Sequence, residues 1–293
     1  MKVGVFCIQP DADADPAIVA RHAEDRGFSS YWVPDHIILP VTSSTKYPGN
    51  PTDGPDPDYL WQMPDPLIAC MRAATATTKL EIGTAVLLVP ERHPLHLAKE
   101  IASLDSFSEG RFHFGIGAGW NKEECEIFGG DFEHRWSQVR EAIEVMKTCW
   151  IDEQSEFQGR YYDFPPVKCF PKPKQKPHPP IYLPSIMFDD NGWVKNVFRR
   201  IVRWGDGWLP VVREAAQITD GLDMLKQIAD EEGVSGKEFR VNVLGAEGQW
   251  RTAKEMDALS NTGAEQVTIW LKEKSVDAIR GELDVLADEL LRN

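Results

Sequence analysis

Two hydrophobic patterns alternate along the chain. Short, nearly continuous apolar runs predict strands covered on both faces, while apolar residues recurring every three to four positions predict helices. The first run, Val3 to Ile8, gives way to helical spacing from Ala17 to Arg26 that stops at Gly27. Tyr31 to Val33 predicts a second strand. A loop rich in Pro, Asp and Gly then runs from Pro34 to about Pro64, ahead of a helix from Asp65 through Thr77. Leu80 to Val89 predicts a third strand with its helix over Leu95 to Phe107. Arg111 to Ile116 predicts a fourth, followed by a helix from about His134 to Trp150.

After a Pro- and Lys-rich connection from Pro165 to Pro180, Ile181 to Leu183 resumes as the fifth strand, with Trp193 to Val202 as its helix. Gly207 to Pro210, Phe239 to Leu244 and Gln266 to Leu271 predict strands six to eight. Helices are predicted over Ala216 to Glu232, Thr252 to Asn261 and Val276 to Leu290. Strand-then-helix alternation implies right-handed parallel crossovers, and eight such units close on themselves. The expected fold is therefore α/β, a single TIM (β/α)8 barrel with insertions after strand 2 and before strand 5. A doubly wound open sheet is the alternative. No internal repeat or low-complexity segment interrupts the pattern.

Composition narrows this picture. A chain of 293 residues with 42% apolar content can bury one large core, so one domain over 1–293 is expected. The net charge of −14 opposes attraction to phosphate backbones and anionic lipid, which disfavours nucleic acid and membrane as partners. Five cysteines, Cys7, Cys70, Cys125, Cys149 and Cys169, form an odd set without C-x-x-C spacing and read as free thiols of a reducing compartment. The apolar start turns polar by Gln9, too early for a signal peptide, and no stretch approaches membrane-spanning length. A cytoplasmic protein is expected.

In a barrel of this kind, chemistry gathers where strands pass into the loops at their C-terminal ends. Asp35-His36 follows the second strand and opens the longest loop, placing a carboxylate and an imidazole at the mouth. An imidazole exchanges protons near neutral pH, and a neighbouring carboxylate can fix its tautomer. The competing reading is a histidine bonded to a backbone carbonyl within the loop. Thr84-Ala85-Val86 ends the third strand and Gly115-Ile116-Gly117-Ala118-Gly119-Trp120 the fourth. Glycines there either let backbone approach a planar ring or a phosphate, or simply make a turn. The dinucleotide fingerprint fails because Trp120 stands where its third glycine is required. His93 and His96 have metal-like spacing, but Pro94 between them suits a helix start, and no metal site is expected. G-x-S-x-G, Walker lysine and H-E-x-x-H motifs are missing, so serine hydrolase, P-loop enzyme and zinc protease lack their signatures.

Several motifs in order carry a resemblance. Gly27-Phe28 before Tyr31-Trp32-Val33-Pro34-Asp35-His36 is followed by Ile82-Gly83-Thr84-Ala85-Val86. Ser106-Phe107-Ser108-Glu109-Gly110-Arg111-Phe112 then leads into Gly115 to Trp120, and Gly205-Asp206-Gly207-Trp208-Leu209-Pro210 comes later. Together they resemble the luciferase-like monooxygenase superfamily, closest to its coenzyme F420-dependent branch. The resemblance implies a barrel binding coenzyme F420, or alternatively FMN, over the third and fourth strand ends. It implies contacts from Thr84, Ala85, Val86, Gly117, Gly119, Trp120, Pro184 and Ser185, with His36 and Asp35 catalytic. It also implies a cis peptide at Ala85-Val86. Two departures stand out: Trp120 occupies the position of a family Glu taken as proton donor, with Glu123 and Glu124 placed elsewhere, and Leu183-Pro184-Ser185 replaces a Gly-Gly pair. The implied reaction is hydride transfer with a small organic substrate, in a pocket covered by the loop carrying Tyr59 and Trp61. A homodimer is implied as well. A reduced-FMN monooxygenase and a non-catalytic flavin-binding relative are the alternatives.

Overall fold

The computed structural model describes residues 1–8, 14–49, 54–187 and 194–291. Its strands, in chain order, are β1 (Lys2–Phe6), β2 (Ser30–Val33), β3 (Glu81–Thr84), β4 (Leu87–Leu88), β5 (Phe112–Gly117), β6 (Ser155–Gln158), β7 (Asp163–Val167), β8 (Ile181–Met187), β9 (Gly207–Val212), β10 (Arg240–Leu244) and β11 (Gln266–Trp270). Each predicted strand is present. β1 pairs with both β2 and β11, and parallel pairing continues through β3, β5, β8, β9 and β10, so the eight-stranded sheet closes. The fold is a TIM barrel, with no open sheet edge to bear out the alternative.

The helices are α1 (Pro16–Asp25), α2 (Pro66–Ala76), α3 (Pro94–Phe107), α4 (Lys122–Ile127), α5 (Arg135–Ile151), α6 (Lys195–Trp204), α7 (Ala216–Glu231), α8 (Ala253–Ser260) and α9 (Val276–Leu290). Their starts are written locally. Asp15 and Asp65 cap α1 and α2 with side-chain oxygens, each ahead of a proline whose missing N–H costs nothing at that position. Thr252 and Glu255 form a reciprocal capping box at α8. His93 caps α3 by accepting from the Leu95 amide, which is the helix-start role that Pro94 implied. The predicted helix start at Trp193 lies outside the described residues.

Three features depart from the sequence expectation. The apolar run Leu80 to Val89 is not one strand: it breaks after Thr84, resumes at Leu87–Leu88, and then turns over Val89–Glu91. The Ala85-Val86 peptide in the break is cis, as the family resemblance implied. The insertion before β8 carries an antiparallel hairpin, β6–β7, and the short α4 follows β5.

Inside the barrel the sheet-facing layer is partly polar. Gln266 Nε2 donates to Ser30 Oγ at 2.7 Å and to Thr268 Oγ1 at 3.2 Å, and Thr268 donates to Asn242 Oδ1 at 2.8 Å. Trp32 Nε1 donates to the same Ser30 hydroxyl. Above this layer Phe6, Ile8, Trp32, Ala85, Tyr182 and Leu209 form an apolar cluster, with Tyr59, Met63, Val86, Leu244 and Trp270 packed against it. Most of these residues stand at strand C-terminal ends, so the barrel presents an apolar floor at its mouth. Among the described residues no helix is long and apolar enough to cross a membrane.

Candidate active site

His36 stands three residues beyond β2 with a side chain only 7% exposed. Its Nε2 accepts a hydrogen bond from Trp120 Nε1 at 3.1 Å, and an indole N–H can only donate. The ring proton is therefore on Nδ1, which lies 2.7 Å from Glu124 Oε2 and donates to it. The Trp120 ring meets the imidazole edge-on and is backed by Tyr47, 5.3 Å away between centroids. Both ring nitrogens are therefore taken by side chains, one of them a fully buried carboxylate, rather than by a loop carbonyl, and the ring is fixed in one tautomer.

The carboxylate that orients His36 is Glu124, and Asp35 does a different job. Asp35 points away into the barrel wall, where Oδ2 accepts from Arg92 Nη1 at 2.5 Å and from the Leu88 amide at 2.9 Å. Its Oδ1 accepts from Arg92 Nη2 at 3.1 Å, and Arg92 reaches Asp65 Oδ2 at 3.2 Å. Asp35 thus fixes the broken β3–β4 segment to β2. Adjacency in sequence suggested a His–Asp pair, but successive residues leaving a strand point to opposite sides.

Glu124 comes from α4, whose N-cap Asn121 accepts from the Glu124 amide at 2.9 Å. Asn121 also donates to Ser43 Oγ at 3.0 Å, and Glu123 accepts from the Ser44 amide and Ser43 hydroxyl. These contacts tie the long insertion after β2 to the loop after β5. The insertion itself, with Asn121 from the loop after β5, lines a cleft of about 470 Å³ that includes Leu39, Val41, Thr42, Ser43 and Trp61. Trp61 is half exposed on its wall, while Tyr59 faces the barrel-mouth cluster and meets Trp270 edge-on at 6.0 Å. The two aromatics expected in one pocket therefore serve different surfaces.

The expected ring contacts divide in the same way. Ala85, Val86 and Gly117 come together where β3 breaks: a Cβ on Gly117 would lie 2.6 Å from Val86 Cγ2. Gly119, at φ +76°, turns the chain toward Trp120. The Thr84 hydroxyl donates to the Gly115 carbonyl at 2.6 Å, and the whole residue is buried in the wall. Pro184 and Ser185 lie on β8, where Ser185 Oγ accepts from Trp208 Nε1 at 2.6 Å. That serine supports the barrel wall.

Sequence reasoning set Glu124 aside and missed Glu91 and Arg92. The asparagine three residues ahead of Glu124 has the spacing of a helix start, which could have placed α4. Glu91 and Arg92 directly follow an apolar strand run, as His36 does.

The luciferase-like monooxygenase family matches residues 9–247. The chain belongs to that family. An uncharacterized protein of Mycobacterium tuberculosis is 34% identical over 240 residues, covering 80% of this chain and 81% of its own. An F420-dependent glucose-6-phosphate dehydrogenase of Amycolatopsis mediterranei is 27% identical over 212 residues, 69% of this chain and 59% of its own. Among solved structures, an F420-dependent secondary alcohol dehydrogenase superposes with a TM-score of 0.74 at 17% identity, covering 100% and 99% of the two chains. A monooxygenase from Streptomyces bottropensis has the same TM-score at 19% identity, with 99% of each chain covered. The luciferase-like barrel is thus shared by dehydrogenases and monooxygenases, and fold alone does not separate them.

Proposed function

We propose that this chain is a coenzyme F420-dependent oxidoreductase that exchanges a hydride with a small organic substrate while His36 moves the accompanying proton. The observation that carries the reading is the imidazole held between Glu124 and Trp120 beyond β2, in a barrel whose strand ends carry an apolar cluster. The F420-dependent Amycolatopsis relative supports the deazaflavin over FMN. A homodimer belongs to the same reading.

The residues present fit a flat, largely apolar ring system. Ala85, Val86 and Phe6 carry no charge at the strand ends, and the glycines at 117 and 119 bring no side chain beside them. The bound cofactor supplies the carbon that takes or gives the hydride. The protein's own task is to hold substrate against that surface, keep water out and settle the proton. His36 Nε2 is the atom for this last step. When substrate is oxidised, a substrate hydroxyl replaces Trp120 Nε1–H at Nε2 and gives up its proton there, and Glu124 stabilises the imidazolium through Nδ1. In the reducing direction the same atom returns the proton. The insertion that carries Ser43 and Trp61 walls the cleft through which substrate arrives.

The test screens small alcohols, carbonyl compounds and activated alkenes against oxidised and reduced coenzyme F420 by absorbance, with a parallel arm of reduced FMN and dissolved oxygen. Turnover with coenzyme F420 and no oxygen uptake is expected. Substrate-dependent oxygen uptake with reduced FMN alone would overturn the deazaflavin in favour of a monooxygenase. With a substrate identified, His36→Ala is expected to lower turnover by roughly 10² to 10⁴-fold with folding unchanged, the usual worth of a general acid or base. Full turnover in that variant would remove His36 from the reaction.

A further inference from the structure

Behind His36 the buried carboxyls do not balance. Glu91 ends the turn after β4, with its side chain in the interior and neither oxygen given a donor. Glu124 accepts from His36 through Oε2, but its Oε1 is also buried and without a donor. With every carboxyl ionised, three interior oxygens would have nothing to accept, and two negative charges would face each other with little solvent between them. Neighbouring buried carboxylates resolve this by retaining a proton.

None of the groups facing Glu91 donates a hydrogen bond to it. They are Glu124 and Cys125 from α4, Asp35 beyond β2, and Arg92 beside it in sequence. Arg92 pulls the Glu91 carboxyl down less than burial, Glu124 and Asp35 push it up, and its guanidinium is hydrogen-bonded to Asp35 and Asp65. The Cys125 thiol is itself pushed up to about 11, by burial and by the charge of Glu91. Burial, and then the charges of Glu124 and Asp35, push the Glu91 carboxyl well above the usual carboxylate range. Glu91 Oε1 lies 3.5 Å from where a Gly119 Cβ would stand, so the acid sits against the glycine loop that leads to Trp120.

We propose that Glu91 is held as an uncharged carboxylic acid whose O–H donates to Glu124 Oε1, leaving Glu124 Oε2 to accept from His36 Nδ1–H and the Nε2 lone pair turned to the site. Glu91 is a positioning residue. It touches neither substrate nor cofactor, and acts by keeping Glu124 an acceptor so that His36 stays in one tautomer. Its meaning for catalysis rests on the reading of His36 given above, but its existence does not.

Two spectra test it on the full chain with no cofactor or substrate. Infrared difference spectroscopy of the wild type against Glu91→Gln at neutral pH is expected to show the carbonyl band of a protonated carboxyl that the variant lacks. No such band overturns the proposal. Nitrogen-15 NMR of histidine-labelled protein, with the His36 resonance assigned through His36→Gln, is expected to show one Nδ1–H tautomer in the wild type. Glu91→Gln keeps it, because its amide donates the same hydrogen bond, while Glu91→Leu gives a mixture of tautomers. An unchanged tautomer in Glu91→Leu overturns the proposal. Should that variant not fold, the infrared comparison with Glu91→Gln decides alone. Failure of the coenzyme F420 screen would leave both spectra as expected, so the two failures are distinguishable.

Discussion

Asp35→Ala separates a wall strut from a catalytic group. The Asp35 side chain is fully buried, and it holds Arg92, itself 11% exposed, with two hydrogen bonds while also accepting from the Leu88 amide. Removing one member of a buried ion pair costs about 3–5 kcal/mol, because the remaining charge stays in the interior. Asp65, at 3.2 Å and partly exposed, keeps one counter-charge on Arg92 and places the expected loss toward the lower end of that range. With a urea m-value of about 3 kcal/mol per M, a loss of ~3 kcal/mol lowers the unfolding midpoint by about 1 M. Equilibrium urea unfolding followed by tryptophan fluorescence reads this directly. Replacing both partners, in Asp35→Ala with Arg92→Leu, should recover part of the loss, since no buried charge is then stranded. A midpoint within about 0.2 M of wild type, together with lost turnover, would return Asp35 to the chemistry and refute the strut.

Two further outcomes follow from the barrel interior. Gly115→Ala places a Cβ 1.9 Å from the Thr84 carbonyl oxygen, a backbone atom that cannot swing aside, so β3 must separate from β5. The expected cost is at or above the ~3 kcal/mol end of overpacking, visible as a lower thermal midpoint or insoluble protein; wild-type stability would show that the barrel yields there. His113 is buried against Tyr182, and burial lowers its pKa to about 4. Because the unfolded imidazole binds a proton near pH 6.5 and the folded one does not, stability is whole above that pH. It then falls by about 1.4 kcal/mol per unit as the pH drops toward 4. His113→Gln should flatten this part of the stability profile measured by urea unfolding, and an unchanged slope would mean that His113 takes up its proton in the folded state.

Much of the fold was legible because parallel barrel strands are covered on both faces and therefore appear as short, nearly continuous apolar runs, such as Val3 to Ile8. The β6–β7 hairpin escaped for the opposite reason. It lies outside the barrel, its residues are mostly exposed or half-buried, and Pro165-Pro166 within β7 reads as a strand breaker although an edge strand tolerates it. The break between β3 and β4 left no trace in the apolar pattern, since Ala85 and Val86 are as apolar as their neighbours; only the family resemblance, through its cis peptide, pointed there.

The site was legible in part. His36 announced itself as a polar residue directly beyond a strand. Its partners Trp120 and Glu124 lie 84 and 88 positions away, and closure of the barrel, not any local pattern, brings them to the two ring nitrogens. Asp35 was drawn in by adjacency, which pleating undoes. Thr84 and Ser185 were expected at the cofactor, yet each hydroxyl is engaged within the wall, by the Gly115 carbonyl and the Trp208 indole.

Anaerobic fluorescence titration of the purified chain with coenzyme F420 and, separately, with FMN bears most directly on the account. Saturable binding of coenzyme F420, tighter than FMN by about tenfold or more, equivalent to roughly 1.4 kcal/mol, is the expected result. FMN binding as tightly as coenzyme F420 or more tightly would contradict the deazaflavin assignment, and binding of neither would contradict the reading of the strand-end floor as a ring site.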